Sequence, residues 1–440
     1  MVSTRYLLSA KVNESSTLIY PKGGLLFIPH KPLTSLPESA NWGQYDLDAA
    51  AYSIFLYLQQ NPLIPVKTIA DELGYSTTLV NARLESLKEQ GFLRPSREIF
   101  VPFLGTRLQT EVEAVYDPNP LGLQRFNIFL EDIPDLSSLH ELETFLAIHP
   151  YTHYHIALFN TQASLFVQFD IPPSAETYLT ELLETLQGHD YYHSYSFMKQ
   201  LFVAKSKFDF NRWQLSSNKW EIYSQNDLVE TSLDSELDFL WRDFLAQYQP
   251  ATPPQSQVEM VFDFDKIDMS LLRELTVNAK PNITKLSKHY EISRSRVSRR
   301  IKRLREQVVT DERLVYDQSI FDLSVAIIIQ AKFEEGSDLT YQSFYDFLTA
   351  DFLPFSTTAI MDTGQFLWYV VCPPSLVSVI NRFVWLHAKP LNLYHLDIDS
   401  GRTYYFYSKS MVSKGTWKAD KSYFIDSPLS NLEEIKRKKA

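Results

Sequence analysis

At 440 residues the chain is too long for one ordinary domain, and its length alone suits about three or four. Hydrophobic residues at 45% and charged residues at 22% allow real cores and exclude a broadly disordered chain; a sole cysteine, Cys372, excludes an intramolecular disulfide and any multi-cysteine zinc site. The net charge of −11 would argue against a nucleic-acid partner if basic residues were evenly spread, but they are strongly clustered.

Residues 1–45 carry strand-like pieces, Tyr6 to Val12 and Leu18 to Ile28, joined by Gly23-Gly24, and form an extension with no assigned job. Arg5, Lys11 and Glu14 break up their apolar stretches, so no signal-peptide core is present, and no run of about 18 apolar residues occurs in the chain. A cytoplasmic protein is expected, in keeping with the single cysteine. From Asp46 the chain repeats itself: Asp46 to Leu87 recurs as Asp263 to Leu304 without a gap, placing Ser76 on Ser293, Val80 on Val297, Arg83 on Arg300 and Leu87 on Leu304. The first copy lies in a module over 46–117. From Val66 to Glu89 it has three basic residues (Lys67, Arg83, Lys88) against four acids (Asp71, Glu72, Glu85, Glu89), with Thr77, Thr78 and Asn81 displayed on its third helix.

Over 118–248 the hydrophobic pattern reads strand, helix, strand, strand, helix, strand: Phe126 to Leu130, Leu139 to Ile148, His153 to Phe159, Leu165 to Phe169, Ala175 to Leu186 and Tyr195 to Ala204. This is the ferredoxin-like split βαβ order. His149, His153 and His155 are a histidine cluster, and on a strand His153 and His155 share a face. Three imidazoles could hold a metal, but without an acid at fixed spacing a packing or surface role is the better reading, and no metal is expected. A Pro-, Gln-, Thr- and Ser-rich stretch over 249–258 is the linker between the halves.

The second module, 259–318, keeps the apolar skeleton of the first and adds charge. Ile267, Leu271, Leu272 and Leu275 recur at helical spacing, Ile283 to His289 makes a short helix, and Ser293 is placed to cap a third. Val297, Ile301 and Leu304 bury one face of that third helix, while Ser295, Arg299 and Lys302 point nearly opposite, flanked by Arg296, Ser298 and Arg303. From Lys280 to Arg305 ten basic residues stand against one acid, Glu291, which suits the phosphates and guanine edges of a major groove better than a merely solvated helix. A second ferredoxin-like unit over 319–410 follows: Val325 to Phe333, Tyr341 to Leu348, Thr357 to Met361, Phe366 to Val371, Leu376 to Leu386 and Leu393 to Asp397. Pro373-Pro374-Ser375 repeats Pro172-Pro173-Ser174, and Cys372 ends an apolar run as a buried structural thiol. The tail, 411–440, ends in Lys436-Arg437-Lys438-Lys439, read as a solvated end with a non-specific phosphate contact as the alternative.

Asp265-Lys266-Ile267-Asp268, Leu286-Ser287-Lys288, and Ser293, Val297, Arg300, Ile301 and Leu304 resemble the winged helix-turn-helix of the leucine-responsive/asparagine regulator (Lrp/AsnC) family. The resemblance implies an α+β chain of two winged helix-turn-helix modules, each followed by a ferredoxin-like βαββαβ effector and oligomerisation unit. It further implies a transcriptional regulator of double-stranded DNA, with a homodimer as the expected assembly. On these grounds Ser293, Arg294, Ser295, Arg296, Ser298, Arg299, Lys302 and Arg303 are the expected main DNA contacts, with Thr77, Thr78 and Asn81 as the weaker set. Asp362, Thr363, Gly364 and Gln365 resemble the turn that the family associates with an amino-acid-like effector, although Gly364 also suits a plain hairpin. No glycine-rich phosphate loop or nucleophile elbow is present, so neither catalysis nor a cofactor is expected. Two alternatives stand beside the regulator: an enzyme similar to the sirohaem decarboxylases, which share this architecture and use histidine and basic residues around a tetrapyrrole, and a non-specific, chromatin-like DNA-binding protein.

Overall fold

A computed structural model describes residue 45 and residues 47–93, 98–101, 105–108, 111–214, 219–220, 236–248, 263–350, 353–404 and 410–439. Apart from Tyr45, the N-terminal extension lies outside the described residues, and so does the linker over 249–258. The first module opens with α1 (Ala49–Gln60), capped by Asp48, whose carboxylate accepts from the Ala51 N–H at 2.8 Å. Next come α2 (Val66–Leu73) and α3 (Thr77–Glu89), the latter capped by the Ser76 hydroxyl, which accepts from the Leu79 N–H at 3.1 Å. A hairpin of β1 (Glu98–Val101) and β2 (Gly105–Leu108) follows, then β3 (Val112–Tyr116).

The first unit consists of β4 (Gln124–Glu131), α4 (Leu136–Ile148), β5 (Thr152–Phe159), β6 (Ala163–Ile171), α5 (Glu176–Gly188) and β7 (Ser194–Lys199). It is trailed by β8 (Phe202–Ser206), a short hairpin of β9 (Trp213–Gln214) and β10 (Lys219–Trp220), and α6 (Glu236–Gln247). The second half repeats this plan with α7 (Lys266–Val277), α8 (Ile283–His289), α9 (Arg294–Gln307) and β11 (Val309–Leu314). Its unit comprises β12 (Val325–Phe333), α10 (Tyr341–Thr349), β13 (Thr357–Met361), β14 (Gln365–Cys372), α11 (Val377–His387) and β15 (Ala388–Leu396). After it come β16 (Arg402–Thr403), a hairpin of β17 (Met411–Ser413) and β18 (Thr416–Trp417), and α12 (Ser427–Lys439).

Each unit has the antiparallel ferredoxin-like order, β7-β4-β6-β5 in the first and β15-β12-β14-β13 in the second. They join into one sheet where β5 pairs with β15, and β8 adds to β13 at the far end. The single strand expected over Tyr195 to Ala204 is therefore two: β7 pairs with β4 of the first unit, and β8 with β13 of the second. Between them the Gln200 N–H donates to the Arg125 carbonyl at 3.0 Å and the Leu201 N–H to the Met361 carbonyl at 3.1 Å, so two residues link opposite edges of the sheet. Hydrophobic alternation continues through such a crossing and cannot signal the change of partner. The closing strand of the second unit also starts earlier than expected, at Ala388 rather than Leu393.

The helical modules are exchanged between the halves. Helices α1 to α3 share a core with the second unit, where Phe55 stacks on Phe321 at 5.7 Å and meets Tyr316 edge-on at 5.0 Å. Helices α7 to α9 share a core with β3 and the first unit, and the Ala279 N–H donates to the Val112 carbonyl at 3.0 Å. The trailing segments cross as well. The Trp220 indole N–H donates to the Phe321 carbonyl and the Trp417 indole N–H to the Leu121 carbonyl, each at 2.7 Å. Repetition thus runs further along the chain than the helical and ferredoxin-like segments in which it is expected. Residues 410–439 pack on the first unit: Phe424 meets His149, and Lys436 pairs with Glu141 at 2.8 Å, so this lysine of the basic tail is docked rather than solvated.

Candidate nucleic-acid interface

The third helix of the second module forms as its sequence dictates. Ser293 caps it, its hydroxyl accepting from the Arg296 N–H, and Val297, Ile301 and Leu304 are buried, each contributing roughly 2 kcal/mol by burial. The turn before it holds Glu291 at φ 54°, the left-handed conformation that Gly74 (φ 67°) takes in the first module. Arg294, Ser295, Arg296, Ser298, Arg299 and Lys302 are exposed. Lys302 lies 3.7 Å from Glu306, whereas Arg294, Arg296 and Arg299 make no ion pair among the described residues.

The other arginines of this helix face inward. Arg300 grips Asp265 through two bonds of 2.9 Å and lies 2.7 Å from Asp268. Burial pushes the Asp265 carboxyl up, but the bonds from Arg300 and from the helix N-terminus outweigh it and hold the group below its ordinary range. Arg303, expected at the duplex, is instead half-buried: its guanidinium lies over the Phe264 ring at 4.5 Å and donates to the Asp263 carbonyl at 2.8 Å.

In the first module Thr77, Thr78 and Asn81 are exposed on α3. Arg83 occupies the place of Arg300 and makes the equivalent bond, to Asp48 at 2.5 Å. Lys88 pairs with Glu111 at 3.1 Å and Glu85 at 3.4 Å, so of the three basic residues over 66–89 Lys67 alone has no ion pair among the described residues.

The turn Asp362 to Gln365 is the β13–β14 hairpin. One Asp362 oxygen accepts from the Gly364 and Gln365 N–H groups (2.7 and 2.8 Å), and the other from the Gln365 amide (3.1 Å). The histidines part company. His149 is buried against Phe424, its Nε2 at 3.0 Å from that residue's carbonyl; His153 meets the Tyr116 hydroxyl at 2.9 Å; His155 lies against Tyr404 at a centroid distance of 5.5 Å. Burial pushes His149 and His153 down to about 3 and His155 to about 4, so all three are neutral near pH 7. The Cys372 thiol is pushed up to about 12 by burial, in keeping with a structural role.

The space behind this interface has no local signal in the sequence, because it forms between strands of both units. The inward faces of the two halves of the sheet meet through Phe129, Ile156, Phe166, Ile328, Leu367 and Tyr394, and beside them lies a cavity of about 610 Å³. Its polar end is built by β3, β4, β8 and β11, where Arg125 makes a bidentate pair with Asp170 at 2.6 and 2.7 Å. Among the described residues no helix is long and apolar enough to cross a membrane.

Residues 264–305 match the AsnC-type helix-turn-helix domain, and residues 47–94 match the winged helix-turn-helix DNA-binding domain. No curated protein matches the chain. Among solved structures it is similar to the siroheme decarboxylase NirDL (13% identity, TM-score 0.45, 87% of this chain and 99% of that one). It is also similar to AsnC of E. coli (17%, TM-score 0.26, 36% and 94%) and to a transcriptional regulator of Neisseria meningitidis solved with L-Met (18%, TM-score 0.27, 36% and 91%). The chain is a tandem winged helix-turn-helix protein whose second module is of the AsnC type, each module being followed by a ferredoxin-like unit.

Proposed function

We propose that this chain is a transcriptional regulator that reads double-stranded DNA, with its main contact through residues 293–305. The observation that carries the proposal is the sorting of arginines on α9. Those facing inward, Arg300, Arg303 and Arg305, are bonded to Asp265 and Asp268, to the Asp263 carbonyl and to Glu312, while Arg294, Arg296 and Arg299 stand exposed and unpaired among the described residues. Free guanidinium groups on an exposed helix face are the donors that phosphates and guanine edges require. A homodimer would set two such helices on one duplex. Because the sheet edges β5·β15 and β13·β8 already pair within one chain, that dimer uses another surface. Asp362 to Gln365 remains the proposed effector turn, and a cytoplasmic location goes with the reading. The test is anisotropy of a labelled duplex library and its selected sequences at several salt concentrations: selection of one sequence supports a regulator, and equal affinity for every duplex supports a chromatin-like coat instead.

A second reading, an enzyme acting on a tetrapyrrole, draws on His153, Arg125 and Tyr116 around the cavity. A visible absorption band that grows on titration with an iron tetrapyrrole, undiminished when Arg296 and Arg299 are replaced by alanine, would favour it.

A further inference from the structure

We propose that the cavity between the two halves of the sheet binds a small organic acid, its carboxylate on Lys205 and Arg313 and its apolar body against Phe166, Ile328, Ile360 and Leu367, and that β11 passes its presence to helix α9. The second half of this proposal rests on the DNA-binding reading; the first half does not.

The volume of about 610 Å³ falls within the range of small-molecule sites, and the wall divides cleanly into an apolar floor and a charged end. Two of the three cations there have their own carboxylates: Arg125 holds Asp170, and Arg313 holds Glu113 at 2.7 Å. The side chain of Lys205, carried into the cavity by β8, makes no hydrogen bond or ion pair among the described residues. A desolvated cation without a partner is costly, and an anion entering the cavity repays that cost. Burial, helped by the nearby Arg313, depresses the Lys205 ammonium to about 8, the sense expected where positive charge lacks an anion. Asp117 and Asp311 act on it as well, so the charged end favours a compact monoanion over a polyanion.

The route outward is short. Helix α9 ends at Gln307 and β11 begins at Val309, and both Thr310 and Arg313 of β11 line the cavity. At the joint the Asp117 N–H donates to the Val308 carbonyl at 2.9 Å, and Arg305 of the helix pairs with Glu312 of the strand at 3.1 Å. A ligand that draws on Arg313 therefore pulls on the strand that carries the recognition helix. Because β11 pairs with β3, which leads out of the first module, that module feels the same displacement.

Calorimetric titration of the full chain at neutral pH with 3-phenylpropanoate, and with its uncharged amide as control, tests the first half. Wild type is expected to bind the acid at least tenfold more tightly than the amide. Lys205→Met is expected to lose at least tenfold for the acid while melting at the wild-type temperature or above, since it removes an unpaired charge. Thr358→Trp, at the position paired with Lys205, is expected to fill the space and abolish binding. Saturating acid is expected to change duplex affinity at least threefold in wild type and not in Lys205→Met. No binding by wild type, equal binding of acid and amide, or an unaltered Lys205→Met overturns the site. Binding that leaves duplex affinity unchanged overturns the coupling alone, and a chain that binds the acid but no duplex overturns the DNA reading and leaves the site standing.

Discussion

The two helical modules share a skeleton and differ in what they show to solvent. Each has a serine cap on its third helix, a left-handed residue before it and an arginine turned back to the carboxylate that caps the first helix, Arg83 to Asp48 and Arg300 to Asp265. Outward, the second presents Arg294, Arg296 and Arg299, and the first presents Thr77, Thr78 and Asn81. Within one chain, then, arginine at a repeated position is a structural latch, and arginine at the positions that differ is the candidate reader. Charge counted along the sequence cannot make that division, because Arg300 and Arg303 add to the total yet point inward.

The largest expected asymmetry lies in the units behind the modules. His149, His153 and His155 of the first unit are held neutral, with folded values of about 3, 3 and 4 against about 6.5 when unfolded. Such groups add stability that is fully present above pH 6.5 and is lost as pH falls toward 4 and 3. At pH 5 each contributes a loss on the order of 2 kcal/mol. Hydrogen exchange at pH 7 and pH 5 should show the first unit opening before the second, and His155→Leu, which removes a ring with no hydrogen-bond partner, should weaken the pH dependence. Simultaneous opening of both units would break the comparison.

The latches come next. Arg300→Met strips Asp265 and the buried Asp268 of their nearest cation, leaving Asp268 only the more distant Arg303 at 3.9 Å, and should cost about 3 kcal/mol, whereas Arg83→Met leaves the well-exposed Asp48 and should cost about 1 kcal/mol or less. Urea denaturation of both variants gives the difference directly, and similar losses would mean that the two latches are energetically equivalent. Because Arg83 is structural, the fair counterpart to the basic helix is the pair Thr78 and Asn81. Replacing Arg296 and Arg299 by alanine should weaken duplex binding about 30-fold near physiological salt, roughly 2 kcal/mol, and lower the salt slope by about two. Thr78→Ala with Asn81→Ala should change affinity less than threefold; equal losses would show that both modules carry the binding. The smallest effect is a symmetric one: Trp220→Phe and Trp417→Phe each remove one hydrogen bond to the opposite half, and each should cost about 1 kcal/mol in thermal unfolding.

Much of this was legible in the sequence. Val297, Ile301 and Leu304 mark the buried stripe of α9, and the gapless repeat from Asp46 to Leu87 marks both modules, because helical periodicity and caps are local properties. Partners were not legible. An apolar stripe announces that it will be covered without saying by which half, so neither the exchange of modules nor the crossing between Lys199 and Phe202 could be read. Lys205 looked like any lysine on a strand, since its isolation depends on Arg125 and Arg313 having been claimed by Asp170 and Glu113. The repeated indoles, Trp220 and Trp417, were readable in principle, as each sits at a similar distance beyond its unit.

The exchange of modules has a consequence for how such a molecule can diverge. In an assembly of two identical chains every substitution arrives twice, so a basic recognition helix on one side imposes the same helix on the other. Dilution can also separate the partners. Joining both halves in one chain replaces partner concentration by a fixed effective concentration, so the paired units persist at any dilution. It also lets one site change while its counterpart stays as it was, as the outward residues of α3 and α9 now differ around the same inward arginine.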